Sequence, residues 1–292
     1  NLETKSPNVI IVITDDQGYG DIGYNGNPHL ITPNLDKFAG ESMRFNNFNV
    51  SPVCAPTRSS LLTGRYSLRT GVTDTYNGGA IMSSNEITLA EIFNEKNYKT
   101  GIFGKWHLGD NYPSRPSDQG FQESLIHLSG GIGQVGDFTN YYKGSTSYYD
   151  PILWLNNKQE KYNGYCSDIF TDEAIKFIED NKDNQFFCYL SFNAPHTPLQ
   201  VPEKYYQMYK DIDPTNINGE SLEMTEKNIL DAKKIYGMVT NIDENFGKLI
   251  NKLDELNLKE NTIVIFMTDN GPQQPRYVSN LKGLKSQVYN GG

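Results

Sequence analysis

The chain has 292 residues and a formal net charge of −9, with 37% hydrophobic and 21% charged residues. This length and composition exclude a disordered chain and predict a packed fold of one large domain or two small ones. The acidic balance argues against a general nucleic-acid binder, which needs a basic face, and the sequence has no apolar run of about 18 residues that predicts a membrane span.

Four runs of apolar, often β-branched residues predict strands. They lack the polar alternation of half-exposed strands, which indicates strands covered on both faces, as in a parallel sheet. In chain order, the predicted strands are 8–14, 100–103, 186–192 and 262–268. Apolar stripes at helical spacing predict helices at 87–96, 167–181 and 227–258. Strands that alternate with helices predict an α/β sandwich.

Polar residues follow the carboxyl ends of these strands, where open α/β sheets place their sites. Asp15 and Asp16 follow the first strand, and Asp269 and Asn270 follow the last. Adjacent carboxylates repel each other unless a cation lies between them, and carboxylate and amide oxygens suit Ca²⁺ or Mg²⁺ better than zinc. The alternative is a pair of ordinary turns, in which Asp, Asn and Gly are common. Two such pairs at strand ends favour the metal site.

Cys54 lies in the most informative segment, Ser-Pro-Val-Cys-Ala-Pro-Thr-Arg at 51–58. Pro56 suits the first turn of a helix that ends at Gly64, so Cys54 falls near a helix N-terminus, where the dipole favours negative charge. Arg58 lies about one turn further along the same side. The pattern indicates an activated cysteine, and the alternative is a buried structural thiol. Three cysteines without a Cys-x-x-Cys pair predict neither a disulfide framework nor a zinc site.

The pattern Cys-x-Pro-x-Arg at 54–58, followed by Ser-x-Leu-x-Thr-Gly-Arg at 59–65, resembles the signature of the formylglycine-dependent sulfatases, a family of the alkaline phosphatase superfamily. In that family the cysteine is oxidised after translation to Cα-formylglycine. The similarity extends to further motifs in the family's order, at 8–20, 32–36, 104–109, 194–199 and 268–271.

The resemblance implies an alkaline-phosphatase-like α/β sandwich, in which helices flank a large, mostly parallel central sheet. We therefore expect one catalytic domain over residues 1–292. Relatives continue past the Gly-Gly pair at 291–292 into a smaller subdomain with an antiparallel sheet. We expect that subdomain to be missing here, and stability or activity to be lower than in a longer form.

The resemblance also implies a Ca²⁺ ion, with Mg²⁺ as the alternative. It assigns this ion to Asp15, Asp16, Asp269 and Asn270, with the formylglycine made from Cys54 as a neighbouring ligand. The hydrated aldehyde is expected to supply the hydroxyl that attacks sulfur. Its second hydroxyl is expected to allow release of sulfate, which an ordinary serine does not allow.

Five basic residues receive roles from the resemblance. Arg58 is expected to hold the aldehyde hydrate, Lys105 to neutralise sulfate oxygens, and His107 to act on the hydrate as a base. Lys105 and His107 are two residues apart, so on an extended chain they point the same way. His196 follows the third strand and is expected to assist the leaving group as an acid or donor. Lys285 matches a sulfate-contacting lysine by its spacing from 291–292, and the alternative is a solvated surface lysine.

The resemblance implies a hydrolase that cuts sulfate monoesters of a carbohydrate, with an aryl sulfate as a surrogate substrate. The expected partner is a formylglycine-generating enzyme or an anaerobic sulfatase-maturating enzyme, and the expected location is the periplasm or the exterior. One alternative is a phosphatase, phosphodiesterase or phosphonate hydrolase of the same superfamily. Another is a non-catalytic binder of sulfated glycans in which Cys54 stays unmodified.

A segment rich in Gly, Tyr and Ser, at 130–150, predicts a long surface loop that shapes a substrate pocket. Aromatic residues in and after it either stack on sugar rings or pack in the core. They are Tyr141, Tyr142, Tyr148, Tyr149 and Trp154. Two other histidines, His29 and His127, receive no role.

Overall fold

The computed structural model describes residues 6–133, 147–217 and 220–292. Tyr141 and Tyr142, which belong to the predicted substrate loop, lie outside the described residues. Among the residues that are described, no helix combines the length and the apolar character that a membrane crossing requires.

Strands and helices alternate along much of the described chain. The strands are β1 (Asn8–Thr14), β2 (Lys99–Lys105), β3 (Glu123–His127), β4 (Ile152–Leu155), β5 (Lys158–Lys161), β6 (Phe186–Ser191), β7 (Asn216–Ile217), β8 (Glu220–Ser221) and β9 (Thr262–Thr268). The helices are α1 (Pro33–Glu41), α2 (Cys54–Thr63), α3 (Ser67–Thr70), α4 (Leu89–Glu95), α5 (Cys166–Asp180), α6 (Glu203–Tyr209) and α7 (Glu226–Glu255). Short 3₁₀ helices lie at Gly23–Asn25, Pro116–Gln119 and Lys259–Asn261.

The chain divides into two compact units, each built from separate stretches of sequence. The described part of the first unit comprises 6–13, 55–133, 147–193 and 248–267. The described part of the second unit comprises 14–54, 194–217, 220–247 and 268–292.

The first unit contains the larger of the two sheets found among the described residues, apart from the last residues of β1 and β9; the smaller sheet pairs β7 with β8 in the second unit. Among the described residues, seven strands form the larger sheet in the order β5-β4-β3-β2-β6-β1-β9. β1 pairs in parallel with β6, β6 with β2, and β2 with β3. Leu190 on β6 lies in register between Val12 and Phe103, and all three side chains are fully buried. The predicted α/β class with a mostly parallel sheet is confirmed.

The edge of the sheet formed by β4 and β5 differs from the sequence prediction. β3 pairs antiparallel with β4, and β4 pairs antiparallel with β5, so a hairpin extends the parallel strands. β5 has the sequence Lys-Gln-Glu-Lys, and all four of its residues are exposed. Because an exposed charged strand has no apolar pattern, the sequence does not predict it.

The three predicted helices are confirmed as α4, α5 and α7, with ends shifted by a few residues. The first begins at Leu89 because Thr88 caps it: the Thr88 hydroxyl accepts from the Glu91 N–H, and the Glu91 carboxylate accepts from the Thr88 N–H. In the first unit, α4 and α5 both pack against β2 and β6. Phe187 and Tyr189 on β6, together with Phe121 in the connection before β3, fill the buried core beside the sheet.

The second unit has its own apolar core, in which Tyr209 of α6 packs against Tyr236 of α7. A buried carboxylate on α7 also fixes α1. Asp243 accepts hydrogen bonds from the backbone N–H groups of Asn34 and Leu35, at 3.2 and 2.7 Å. These N–H groups lie in the first turn of α1 and lack partners within that helix, so Asp243 caps it from a distant position in the chain.

Candidate active site

Asp15 and Asp16 follow β1 and are buried in the second unit, with exposed fractions of 0% and 1%. The Asp15 N–H donates to the Ala194 carbonyl at 3.1 Å. Asp16 has a φ of 64°, the left-handed region that few non-glycine residues adopt. Successive side chains on a strand point to opposite faces, so this turn is what allows two adjacent carboxylates to face one site.

The second predicted pair lies against the first. The Asp269 N–H donates to the Thr14 carbonyl at 3.1 Å, and the Asp269 Oδ1 atom accepts from the Asp16 N–H at 3.2 Å. The Asn270 Nδ2 atom donates to Asp16 Oδ1 at 2.7 Å. Asp269 and Asn270 are completely buried. The structure therefore brings together the Asp15-Asp16 pair and the Asp269-Asn270 pair from opposite ends of the chain.

Lys285 joins this group from a loop near the end of the sequence. Its Nζ atom donates to Asp16 Oδ1 at 2.5 Å, and its side chain is 12% exposed. Burial opposes the charge of Lys285, but the Asp16 carboxylate and other acidic groups around it hold its pKa well above the usual value. The loop is fixed by its backbone, because the N–H groups of Lys285 and Ser286 donate to the carbonyls of Pro272 and Pro52. Lys285 is thus a largely buried cation rather than a solvated one.

His196 approaches Asp16 from another side. Its Nε2 atom lies 3.7 Å from Asp16 Oδ2, and its Nδ1 atom lies 2.6 Å from the Thr197 carbonyl. A carbonyl oxygen only accepts hydrogen bonds, so Nδ1 carries a proton and Nε2 is the atom that faces Asp16. Burial opposes ionisation of Asp16, but the charges of His196 and Lys285 outweigh it and lower the Asp16 pKa from 3.8 to about 2.

Cys54 is the first residue of α2 and is 1% exposed. Its Sγ atom and one carboxylate oxygen from each of Asp15 and Asp269 all lie within 4.8 Å of one another. Asp15, Asp16 and His196 form a second group, in which one carboxylate oxygen from each aspartate and one ring nitrogen of His196 also lie within 4.8 Å of one another. We call the five residues Asp15, Asp16, Cys54, Asp269 and Asn270 the acidic cluster.

The acidic cluster has the donor atoms that a hard divalent cation requires. Asp16 Oδ2 and Asn270 Oδ1 are buried, and neither accepts a hydrogen bond from any residue that the structure describes. A buried acceptor without a donor is costly, and three buried carboxylates that repel each other add to the cost. A divalent cation that binds oxygen would satisfy these atoms, so the residues present fit Ca²⁺ or Mg²⁺.

Arg58 and Lys105 lie in the first unit. The Arg58 side chain is completely buried, and its Nη1 atom donates to Ser191 Oγ at 2.5 Å. Ser191 Oγ in turn donates to the Lys105 carbonyl at 2.7 Å. Ser191 ends β6 and has no motif around it, so the sequence does not identify it. Lys105 is also completely buried, which is rare for a lysine.

His107 also belongs to the first unit, and its backbone departs from the expected geometry. β2 ends at Lys105, and His107 has a φ of 59°. The prediction that Lys105 and His107 point the same way assumes an extended chain between them. The chain is not extended at His107, so that basis for the prediction is wrong. Its Nε2 atom lies 2.9 Å from the Thr75 carbonyl, so Nε2 carries a proton.

The aromatic residues of the predicted substrate loop have different positions in the first unit. Tyr148 is completely buried and donates from its hydroxyl to the Asn193 carbonyl at 2.9 Å, so it packs in the core. Trp154 is half-buried and lines a cavity of about 340 Å³. The cavity is also lined by Asp110, Asn111, Tyr112, Arg115, Ile126, Leu128 and Asn157. The sequence does not predict this polar lining.

Two further buried residues of the second unit contact the segment that follows β1, and the sequence does not single them out. Arg276 donates from Nη2 to the Asp16 carbonyl at 2.8 Å and forms an ion pair with Asp21. Asp21 directly follows the motif at 8–20, but only the structure connects it with Arg276.

Comparison with known proteins identifies the family. The sulfatase family model matches residues 7–292. The ulvan-active sulfatase of Formosa agariphila is 32% identical over 92% of this chain and 51% of its own length. Arylsulfatase J of Mus musculus is 30% identical over 99% of this chain and 47% of its own. The crystal structure of Ps i-CgsB in complex with k-i-k-neocarrahexaose is 32% identical, with a TM-score of 0.83 over 99% of this chain and 64% of that chain.

The chain spans about half the length of the curated relatives it matches. The family match nevertheless includes all residues of the acidic cluster, together with Lys285. The resemblance of the motifs, the fold and the full-length match agree with one another. The chain therefore belongs to the sulfatase family.

Proposed function

We propose that this chain is the catalytic part of an enzyme that hydrolyses sulfate monoesters of carbohydrates to an alcohol and inorganic sulfate. The observation that carries the proposal is the position of Cys54, whose Sγ atom lies within 4.8 Å of carboxylate oxygens of Asp15 and Asp269. A sulfate ester is negatively charged and resists attack by anions. Its hydrolysis therefore needs a nucleophile next to concentrated positive charge.

The acidic cluster is proposed to hold Ca²⁺, with Mg²⁺ as the alternative. The oxygens of Asp15, Asp16, Asp269 and Asn270 would be the ligands, with position 54 beside them. A bound ion would act as a Lewis acid and as a template for a sulfate oxygen. The buried acceptors Asp16 Oδ2 and Asn270 Oδ1 support this proposal.

Cys54 is proposed to be converted to Cα-formylglycine by a formylglycine-generating enzyme or an anaerobic sulfatase-maturating enzyme. The hydrated aldehyde supplies a hydroxyl nucleophile and a second hydroxyl that a serine lacks. The start of α2 supports negative charge at position 54, because N–H groups in the first turn of a helix have no partner within it and the helix dipole is positive there.

The chain's cations have distinct proposed tasks. Lys285, held in place by its backbone contacts, is proposed to bind a sulfate oxygen. Arg58 and Lys105 are proposed to offset negative charge at the modified side chain and at the sulfate. Burial of both side chains supports this, since a buried cation interacts with an anion more strongly than a solvated one does.

The two histidines are proposed to move protons. His196 Nδ1 donates to the Thr197 carbonyl, so a protonated ring presents Nε2–H as the donor for the leaving oxygen. His107 Nε2 donates to the Thr75 carbonyl, so Nδ1 is the basic atom of the neutral ring. His107 is therefore proposed as the base that accepts a proton before sulfate is released.

The substrate class is proposed from the relatives and from Trp154. One relative is named for its action on ulvan, and one similar structure holds a neocarrahexaose. Trp154 lines a cavity with several polar residues, a combination that suits a sugar ring. We also propose that the protein is exported to the periplasm or secreted; recovery of the native protein only in the cytosol would contradict this.

A comparison of two ester substrates tests the proposed reaction. Protein with the aldehyde at position 54 should hydrolyse a nitrophenyl sulfate faster than the matching nitrophenyl phosphate, and the Cys54→Ala variant should be inactive on both. Faster hydrolysis of the phosphate would indicate a phosphatase or phosphonate hydrolase instead. Binding of sulfated saccharides without any turnover would indicate a glycan binder. A screen of defined sulfated saccharides then identifies the substrate.

A further inference from the structure

Arg276 and Asp21 form a completely buried ion pair in the second unit. The Arg276 Nε atom donates to Asp21 Oδ1 at 2.9 Å, and Nη2 donates to Asp21 Oδ2 at 2.6 Å. Nothing in the proposed reaction uses either side chain. Removing two charges from water is expensive and can cancel their mutual attraction, so a gain in stability does not by itself account for the pair.

Arg276 also reaches the backbone of the acidic cluster. Its Nη2 atom donates to the Asp16 carbonyl at 2.8 Å, and its Nη1 atom donates to the Gln274 carbonyl at 3.1 Å. Only a guanidinium offers enough donors in a fixed plane for these contacts and the bidentate pair with Asp21 at the same time. Arg276 therefore joins the segment that carries Asp16 to the segment that carries Asp269 and Asn270.

Asp21 holds the other side of this arrangement. Its Oδ2 atom accepts from the Gly18 N–H at 2.7 Å, and its own N–H donates to the Gly18 carbonyl at 2.9 Å. These bonds close a tight turn directly after Asp16. The Asp16 backbone is in the left-handed region, which persists only when the surrounding structure fixes it. The turn after Asp16 therefore helps to keep its carboxylate beside the other residues of the acidic cluster.

We propose that Arg276, held by Asp21, is a positioning residue for the metal site: it fixes the Asp16 carbonyl and so keeps the Asp16 carboxylate among the other ligands. This inference depends on the proposed metal site. Residues that orient metal ligands typically change metal affinity by about 10- to 100-fold when they are replaced. We expect an effect of this size from the loss of the guanidinium.

Calorimetric titration of Ca²⁺ into the chelator-treated chain tests the proposal. The Arg276→Lys variant keeps the positive charge beside Asp21 but loses the planar set of guanidinium donors. Its Kd for Ca²⁺ should therefore rise about 10- to 100-fold. The Asp243→Asn variant is the matched control, because it removes a buried carboxylate of the same unit that caps α1. Its Kd should stay within about twofold of the parent value, even if its melting temperature without metal falls.

If the Arg276→Lys variant does not fold, a double variant, Asp21→Asn with Arg276→Gln, takes its place. It removes both charges together and so leaves no unpaired buried ion. It should show the same weakening of Ca²⁺ binding. A parent-like Kd in either folded variant would overturn the positioning role. If the parent itself binds no Ca²⁺, the proposed metal site fails. The two failures are thus distinguishable.

Discussion

Lys285 Nζ lies 2.5 Å from Asp16 Oδ1, although the two residues are 269 positions apart in the chain. The contact places a buried cation on one of the carboxylates assigned to the metal. A lysine in that position offsets negative charge in the acidic cluster, and we propose that it also binds a sulfate oxygen. The same ion pair predicts how the enzyme responds to mutation and to pH.

Replacement of Lys285 by Met should lower kcat/KM for a nitrophenyl sulfate by about 100- to 1,000-fold, because one charged group that stabilises developing negative charge is lost. Steady-state kinetics measure the effect. Lys282→Met is the control on the same loop, since Lys282 is exposed and stacks on Tyr289. Similar kinetics for both variants would show that Lys285 has no part in the reaction.

The Asp16 ion pair predicts acid sensitivity of the metal-free protein. The Asp16 pKa is about 2 in the fold and 3.8 in the reference state, so its carboxylate stabilises the fold above pH 3.8 and loses that effect as pH falls towards 2. The shift corresponds to about 2 kcal/mol. Urea unfolding of chelator-treated protein measures the free energy of unfolding at pH 5 and pH 2.5. Between these pH values the parent should lose more of this free energy than Asp16→Asn does, by about the same amount.

The exposed carboxylate Asp254 provides the control for this pH measurement. Asp254→Asn should lose as much unfolding free energy as the parent between the two pH values. An equal loss in the parent and in Asp16→Asn would show that the Asp16 carboxylate is not held by Lys285 and His196 in solution.

Gly104 allows β2 to approach β6 next to the buried Arg58. A Cβ atom at Gly104 would lie 1.8 Å from the Ser191 carbonyl oxygen, and φ is 119°. Gly164 has a similar φ of 111° but nothing within 4 Å of a Cβ position. Gly104→Ala should therefore destabilise the protein by about 1–3 kcal/mol more than Gly164→Ala, as measured by urea unfolding. Equal losses of unfolding free energy in the two variants would mean that the backbone at Ser191 moves away from the added Cβ atom without destabilising the protein.

Removal of the metal should abolish turnover. Treatment with a chelator should stop hydrolysis of a nitrophenyl sulfate, and added Ca²⁺ should restore it. In Asp269→Asn the Ca²⁺ concentration needed for half-maximal recovery should rise by about 100-fold or more, because the site loses one negative ligand. Asp254→Asn should recover as the parent does. Full activity in the presence of chelator would rule out a catalytic metal.

The parallel strands and the acidic cluster are predictable from sequence because each has a local signal. β1 and β9 are continuous apolar runs; Asp15-Asp16 directly follows the first and Asp269-Asn270 the second. Parallel strands end at the same edge of a sheet, so distant motifs are expected to meet. The predicted helix start and the resemblance both single out Cys54, and the structure brings its sulfur to the carboxylates of Asp15 and Asp269.

Other features lack a local signal. β5 is fully exposed and charged, so no apolar period predicts it. Ser191 and Arg276 acquire their contacts only through the tertiary fold, since their partners Arg58 and Asp16 are far away in the sequence. The left-handed backbone of His107 likewise depends on its surroundings, because only a few per cent of non-glycine residues adopt that region.

The peptide mass at position 54 in active protein tests the proposed chemistry most directly. Digestion of the turnover-competent chain, followed by mass spectrometry, should give a peptide that carries the aldehyde, and the aldehyde fraction should rise in proportion to kcat across preparations. Fully active protein in which every peptide retains the Cys54 thiol would contradict the proposed nucleophile and the function built on it.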